Sequence, residues 1–374
     1  MEASVASNEE LGELQELVKA FLARRAPIKE TRRWMETAEG FDASVWAELA
    51  EQIGLQGITI PEAQGGLGLS VVEQGVALEE LGAALYPGPF LSSAVLATNI
   101  LLQSDDLDSM DRWLPLLASG EKRATAALAE RSWEQGVERP AVQALALGNQ
   151  WTLTGTKNLV VDGGTANLMT VSASTSDGPS LFLVEDDAGG LSRTALPVVD
   201  LTRKLATVTF EATPARLIGR EGHAGPILRR AIDLSIAVLA CEQVGAAARA
   251  LEITIDYLKV REVFGRPLAA FQALKHRCAD MLAQIETSRA LASAALYAGA
   301  GGRWDELETL AALAKTRSWD TLDDVTAQAI QLHGGVGFTW EFDPHLYFKR
   351  ARGNQFLFGD PTQYRERAAI NLGM

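Results

Sequence analysis

Cysteine is nearly absent: Cys241 and Cys278 are the only two in 374 residues, too few for a disulfide framework in a chain this long. Both lie in apolar stretches of helical pattern, so a reducing cytoplasm is the expected setting. Histidine is almost as scarce. Four residues without ligand-spaced partners give no metal site of the usual spacings, which leaves His276 and His333 as helix-packing or capping residues. An excess of positive charge is missing too: 34 Lys and Arg stand against 48 Asp and Glu, a net charge of -14. That balance repels phosphate backbones and anionic lipid, so neither nucleic acid nor a membrane is an expected partner, and an anionic ligand would need a local basic site. No apolar run reads as long enough to span a bilayer, and the acidic start MEASVASNEELGELQELVKA lacks the basic-then-apolar order of an export signal. Repeats, low-complexity segments and charge blocks are absent, which excludes a solenoid or a tether.

What is present is an ordinary globular composition, 47% hydrophobic and 22% charged, in a chain longer than one hydrophobic core supports, so two or three sub-structures are expected. From Leu11 to about Leu117 apolar residues recur at helical spacing, punctuated by Gly54, Gly57, Pro61, the Gly65-Gly66-Leu67-Gly68 loop and Pro87-Gly88-Pro89. The glycine loop is not followed by the lysine of a phosphate loop and reads as a turn. Between about Ala124 and Gly219 the period becomes two. AVQALAL, then Gly148-Asn149, then WTLTGTK signals a hairpin, and LMTVSAS, SLFLVED and ATVTFEA follow as strands. From Pro226 onward three long stretches return to helical period. The expected fold is therefore α+β: an N-terminal helical domain (1–120), a small antiparallel β domain (121–219) and a C-terminal four-helix bundle (220–374).

The segment Tyr257 to Met281, YLKVREVFGRPLAAFQALKHRCADM, closely resembles a signature in the C-terminal domain of acyl-CoA dehydrogenases. The string Gln331-Leu332-His333-Gly334-Gly335-Val336-Gly337-Phe338 is similar to the Gln-x-x-Gly-Gly-x-Gly-Phe loop of the same family. Gly54-Leu55, Pro61-Glu62, Gly65-Gly66-x-Gly68 and Glu79-Glu80-Leu81-Gly82 are weaker echoes upstream. Singly, an arginine on a loop and a Gly-Gly turn are a surface group and a helix cap; at these joint spacings they point to a cofactor. A diphosphate needs a fixed cation and close backbone approach, which Arg261, Gly334 and Gly335 can supply. The resemblance implies that Arg261, Phe264, Phe271, Gln272, Gln331, Gly334 and Gly335 hold FAD, with the two loops reaching a neighbouring subunit's flavin. It also implies an oligomer acting on an acyl-CoA.

Dehydrogenating an acyl thioester requires a carboxylate to take the α-proton, a stabilised thioester oxygen, and polar contacts to the flavin ring. Here the resemblance breaks down. The family's usual glutamate position falls on Phe358, before Gly359 and Asp360, and its alternative on the first long bundle helix falls on Ser235. A basic residue often found beside the latter falls on Ile236. The family's Thr-Glu-Pro strand appears as Ala129-Glu130-Arg131, its following loop is unrecognisable in SWEQGVERP, and its Trp-Ile-Thr segment appears as Leu159-Val160-Val161. Groups serving a neighbour's cofactor are kept, whereas groups serving this chain's own site are replaced, a sorting that random decay would not produce.

That pattern resembles the catalytically silent subunit of the heterotetrameric acyl-CoA dehydrogenases of sterol-degrading bacteria, which implies a related partner subunit and a role in lipid and steroid catabolism. Two other readings stand beside it. One is a self-sufficient homo-oligomer whose base has moved to Asp360 or Glu242, although Asp360 also reads as the first residue of an Asp-Pro turn and Glu242 as an interhelical polar contact. The other is a flavin-free acyl-CoA binding or scaffold protein, against which the retained diphosphate motif speaks.

Overall fold

The structure, a computed structural model, describes residues 5–148 and 150–374. Asn149, the second residue of the expected hairpin turn, lies outside the described residues; Gly148 before it has φ 62°. Contacts divide the chain into two compact units. The first holds Arg32–Gln74 and Pro87–Ser235, and the second holds Ala6–Thr31, Gly75–Tyr86 and Ile236–Met374.

The helical N-terminal segment contains α1 (Asn8–Arg25), α2 (Ile28–Trp34), α3 (Ala43–Ile53), α4 (Val71–Ala83), α5 (Thr98–Gln103) and α6 (Leu107–Ala118). Local chemistry sets several of their ends. Ser7 and Glu10 form a reciprocal capping box on α1, and Asp42 accepts from the Ser44 and Val45 amides at the start of α3. Gly54, left-handed at φ 74°, ends α3. Ahead of α5, Phe90–Ala97 is wound as a π-helix whose eight residues are all buried.

In the first unit the strands are β1 (Ala124–Ala127), β2 (Gln143–Leu147), β3 (Gln150–Val161), β4 (Leu168–Thr175), β5 (Gly178–Glu185), β6 (Leu191–Ala195) and β7 (Leu205–Ile218), with the short helix α7 (Trp133–Glu138) between β1 and β2. The hairpin signal is realised as the antiparallel β2–β3 pair. The path β4-β2-β3-β7-β5 closes because β5 also pairs with β4, so these strands form a small barrel. Its interior is filled by Val142, Leu153, Met169, Val171, Phe182 and Phe210, all at most 1% exposed. Most pairings are antiparallel as expected. Two are parallel, β1 on β4 and a single bridge of β2 to β4, because β1 and β2 enter the barrel after non-hairpin connections.

The long helices are α8 (Ala224–Val260), α9 (Gln272–Ala300), α10 (Trp304–His333), α11 (Pro344–Asn354) and α12 (Pro361–Asn371). Among the described residues α8 is long and apolar enough to cross a membrane, contrary to the sequence expectation, but 89% of its most apolar window is buried inside the protein. That window is apolar because it is a buried core segment of the helix. In the second unit α9 and α10 run antiparallel, joined by Arg277–Gln328, Gln284–Asp324 and Ser288–Thr321 hydrogen bonds. Helix α4 crosses α8 backbone to backbone: a Cβ on Gly82 would overlap the Glu242 carbonyl, and one on Gly245 the Glu79 carbonyl. Beside that crossing Glu79 accepts from Arg289 on α9 at 2.9 Å. Burial pushes the Glu79 carboxyl above the usual range, and Arg289 partly offsets this.

Candidate functional site

In the second unit the two expected cofactor motifs meet through an aromatic contact. The ring of Tyr257, in the last turn of α8, stacks on His333 at the end of α10 with centroids 4.3 Å apart, and its hydroxyl donates to the His333 carbonyl. Phe342 packs edge-on against both. His333 is 3% exposed, its Nδ1 lies 2.7 Å from the Ala329 carbonyl, and burial pushes its pKa down. It is thus a packing residue, as the sequence suggested, and its partner Tyr257 is the group sequence reasoning missed. A Tyr four residues before Arg261 was the available signal.

This contact sets two exposed loops side by side. One is the hairpin Glu262–Val263 with Arg266–Pro267, in which Phe264 is 92% exposed at φ 55° and Gly265 has φ 75°. The Arg261 side chain is exposed and has no partner among the described residues. Phe271 opens α9 beneath the Arg266 guanidinium, 4.1 Å from its ring centroid, and Gln272 is exposed in the first turn. The other loop carries exposed Gln331, then Gly334 at φ 66° and ψ -147°, a backbone only glycine adopts readily. No atom lies within 4 Å of where a Cβ on Gly334 or Gly335 would stand. A free guanidinium, an amide side chain and open glycine backbone suit a diphosphate ester. His276 is exposed on α9, and no group of three or more metal-ligating side chains occurs among the described residues.

The positions where a base was sought are occupied differently. Phe358 is 5% exposed at φ 62°, and its carbonyl accepts from the Tyr364 hydroxyl at 2.6 Å. Ser235, in the first unit, is fully buried and donates back to the Ala231 carbonyl at 2.6 Å. Asp360 caps α12, and the Thr362 amide holds its carboxyl below the usual carboxylate range, which weakens it as a base. Glu242, 3% exposed, pairs with Arg350 Nη1 at 2.9 Å and accepts from Asn354 Nδ2 at 3.2 Å. Both carboxylates therefore serve the structural roles open to them in the sequence, a helix cap and an interhelical contact.

In the first unit the segment without a family counterpart forms α7. Glu130 accepts from the amides of Ala141 and Val142 and from Lys157 Nζ at 2.7 Å. Lys157, with no exposed surface, also donates to the Leu128 carbonyl at 3.1 Å and to Ser172 Oγ at 3.0 Å. The Glu130 carboxylate is thus consumed in fixing its own loop. The register of β3 on β7 slips between Lys157 and Val160, and Leu159 takes the extra position of this bulge at φ 53°. Val160 and Val161 are buried.

The Lys157 ammonium carries a pH signature. Burial lowers its pKa from 10.5 to about 8 against the pull of Glu130, so between those values the unfolded chain binds the extra proton. Stability contributed by this group therefore rises as pH goes from 8 to 10.5, by on the order of 3 kcal/mol. Thermal melting across that window should show the gain, and Lys157→Met should abolish it.

Two family descriptions match the chain: "Acyl-CoA dehydrogenase, N-terminal domain" over residues 8–121 and "Acyl-CoA dehydrogenase, C-terminal domain" over residues 226–369. Acyl-CoA dehydrogenase IpdE2 of Mycolicibacterium smegmatis is 33% identical over 362 residues, which are 96% of this chain and 98% of that protein. Among solved structures, a variant of the Tcur3481-Tcur3483 steroid ACAD is 33% identical with a TM-score of 0.89, and 98% of each chain is covered. The ChsE4-ChsE5 complex of Mycobacterium tuberculosis is 26% identical with a TM-score of 0.88, again over 98% of each chain.

Proposed function

The chain belongs to the acyl-CoA dehydrogenase family, and we propose from that footing that it is the supporting subunit of an active site shared with a related, base-bearing subunit. It is an oxidoreductase-family protein whose cofactor is FAD. FAD supplies the acceptor for the hydride that leaves the β-carbon of the acyl thioester. The residues suited to hold it are Arg261, as a fixed cation for the diphosphate, Gln331 and the open backbone at Gly334 and Gly335, with Phe264, Phe271 and Gln272 flanking them on the hairpin side. In this reading they serve the flavin of the partner subunit.

The observation that carries the proposal is that Phe358 and Ser235, the positions the resemblance gives to a base, carry no carboxylate, whereas Arg261, Gln331, Gly334 and Gly335, the groups suited to a diphosphate, are present and exposed. The commitment of Glu242 to Arg350 and of Asp360 to its helix supports it, since neither then stands ready to accept a substrate proton. The likeness to a steroid ACAD and to a two-protein complex supports a heteromer, a heterotetramer by the sequence resemblance, acting on a sterol-derived acyl-CoA; the scarcity of cysteine suits a reducing cytoplasm.

The test is a flavin absorbance spectrum and a dehydrogenation assay on the chain alone and co-expressed with a related acyl-CoA dehydrogenase subunit. Without a general base the chain alone should run slower than the pair by about 10²–10⁴-fold. Equal rates would sink the proposal and leave a homo-oligomer with a relocated base.

A further inference from the structure

Seven residues other than glycine have a positive φ among the described residues, and three of them are Leu159, Phe264 and Phe358. Those three stand in the segments that the sequence matched to the flavin ring, the cofactor hairpin and the base. A left-handed backbone is disfavoured for bulky side chains and persists only where the surroundings over-determine it. At Phe358 the surroundings are visible. Helix α11, which leads into this turn, is bound to α8 by Arg350 and Asn354, both donating to Glu242 Oε1. Its last carbonyls are held from α10, where Lys315 Nζ donates to Asn354 O at 3.2 Å and to Gln355 O at 3.3 Å. Trp319 Nε1 donates to the Ala351 carbonyl, and Tyr364 closes the far side on Phe358 O. Glu242, Arg350, Lys315 and Asn354 are each at most 3% exposed.

Burying charges this deeply is poor economy for stability alone, because apolar packing of the same volume does as well or better. What it provides is one fixed geometry. We propose that Lys315, Arg350 and Glu242 are positioning residues for position 358: together they preset the turn Gln355–Gly359 to present whatever side chain stands there. The inference rests on reading position 358 as the family's base position, and adds that the mount for a base is intact although the base is gone.

The test is F358E in the FAD-loaded full chain, followed by proton NMR of deuterium uptake at the α-carbon of acetyl-CoA and octanoyl-CoA in D₂O. In this step the α C–H bond breaks, the proton passes to the introduced carboxylate, and a deuteron from solvent returns to carbon; no electrons are exchanged. F358E should raise the exchange rate about 10²-fold over the unsubstituted chain. Adding K315M should cost about 10²-fold of that gain through misplacement of the turn and move the pH midpoint of exchange. Adding K315R, which keeps donors for the carbonyls, should restore most of it. E242Q, which keeps an acceptor for Arg350, should give an intermediate rate in a folded protein. If F358E exchanges no faster than the unsubstituted chain while that chain is silent, or if K315M leaves the F358E rate unchanged, the positioning role is overturned. Fast exchange by the unsubstituted chain would overturn the absence of a base itself, and with it the need for a mount.

Discussion

Glu242→Ala should lower folding stability by about 3–5 kcal/mol, because it takes from a buried ion pair the carboxylate to which both Arg350 and Asn354 donate. Arg350 is 1% exposed and Asn354 fully buried, so neither can turn to water when the carboxylate is lost. Urea unfolding of the purified chain measures the loss directly. Glu242→Gln keeps an oxygen for Arg350 and Asn354 and should lose far less. The same pair of variants separates a structural carboxylate from a base: in complex with the proposed partner subunit, the folded Gln variant should keep its turnover. A loss of turnover at full stability would return Glu242 to the list of candidate bases.

Arg261→Ala should do the opposite, sparing the fold and removing the cofactor. Its guanidinium is exposed and has no partner among the described residues, so truncation strands no buried group. A charge-assisted hydrogen bond is worth about 1.5–3 kcal/mol, so the flavin should be held roughly 10–150-fold less tightly. Flavin fluorescence on dilution of the assembled enzyme reads this, and an unchanged melting temperature of the isolated chain is the control. Retention of flavin at the original affinity would mean that the diphosphate is held elsewhere.

The fold was legible where its cause is local. Helical period and the strand-like runs of β3, β4, β5 and β7 each act within a few residues, and the expected order of helices, strands and helices follows from them. The two loops proposed to hold the cofactor stood out for the same reason, since hairpin and glycine loop are contiguous motifs. What joins them was not: Tyr257 and His333 meet from 76 positions apart. Glu242 and Arg350 are 108 apart, and a sequence shows the charge of each but not that they neutralise each other. Helix α7 was missed because SWEQGVERP is too short for a periodic signal; Ser132 caps it by accepting from the Gln135 amide, and Gly136 lets it sit against the Leu128 carbonyl. Strand β6 was missed because it is short and mostly exposed, which leaves little alternation to read. The apolarity of α8 was under-read: no run was expected to be long enough to span a bilayer, yet this helix is, and only its burial shows that it is wrapped in protein rather than lipid.

The crossing at Gly82 and Gly245 makes α8 a ruler. With no side chain to act as a spacer, the helix is pinned at Gly245, and Tyr257 stands 12 residues further along, about 18 Å by helical rise. Everything beyond that pin is dead reckoning: angle and distance to the Glu262–Pro267 hairpin are counted out in residues. Inserting a single residue between Gly245 and Tyr257 would swing the hairpin through about 100° and advance it about 1.5 Å, turning Tyr257 away from His333 while leaving every motif intact in the sequence. The spacing between an ordinary-looking glycine and an arginine motif is therefore as much a part of the proposed cofactor site as the arginine.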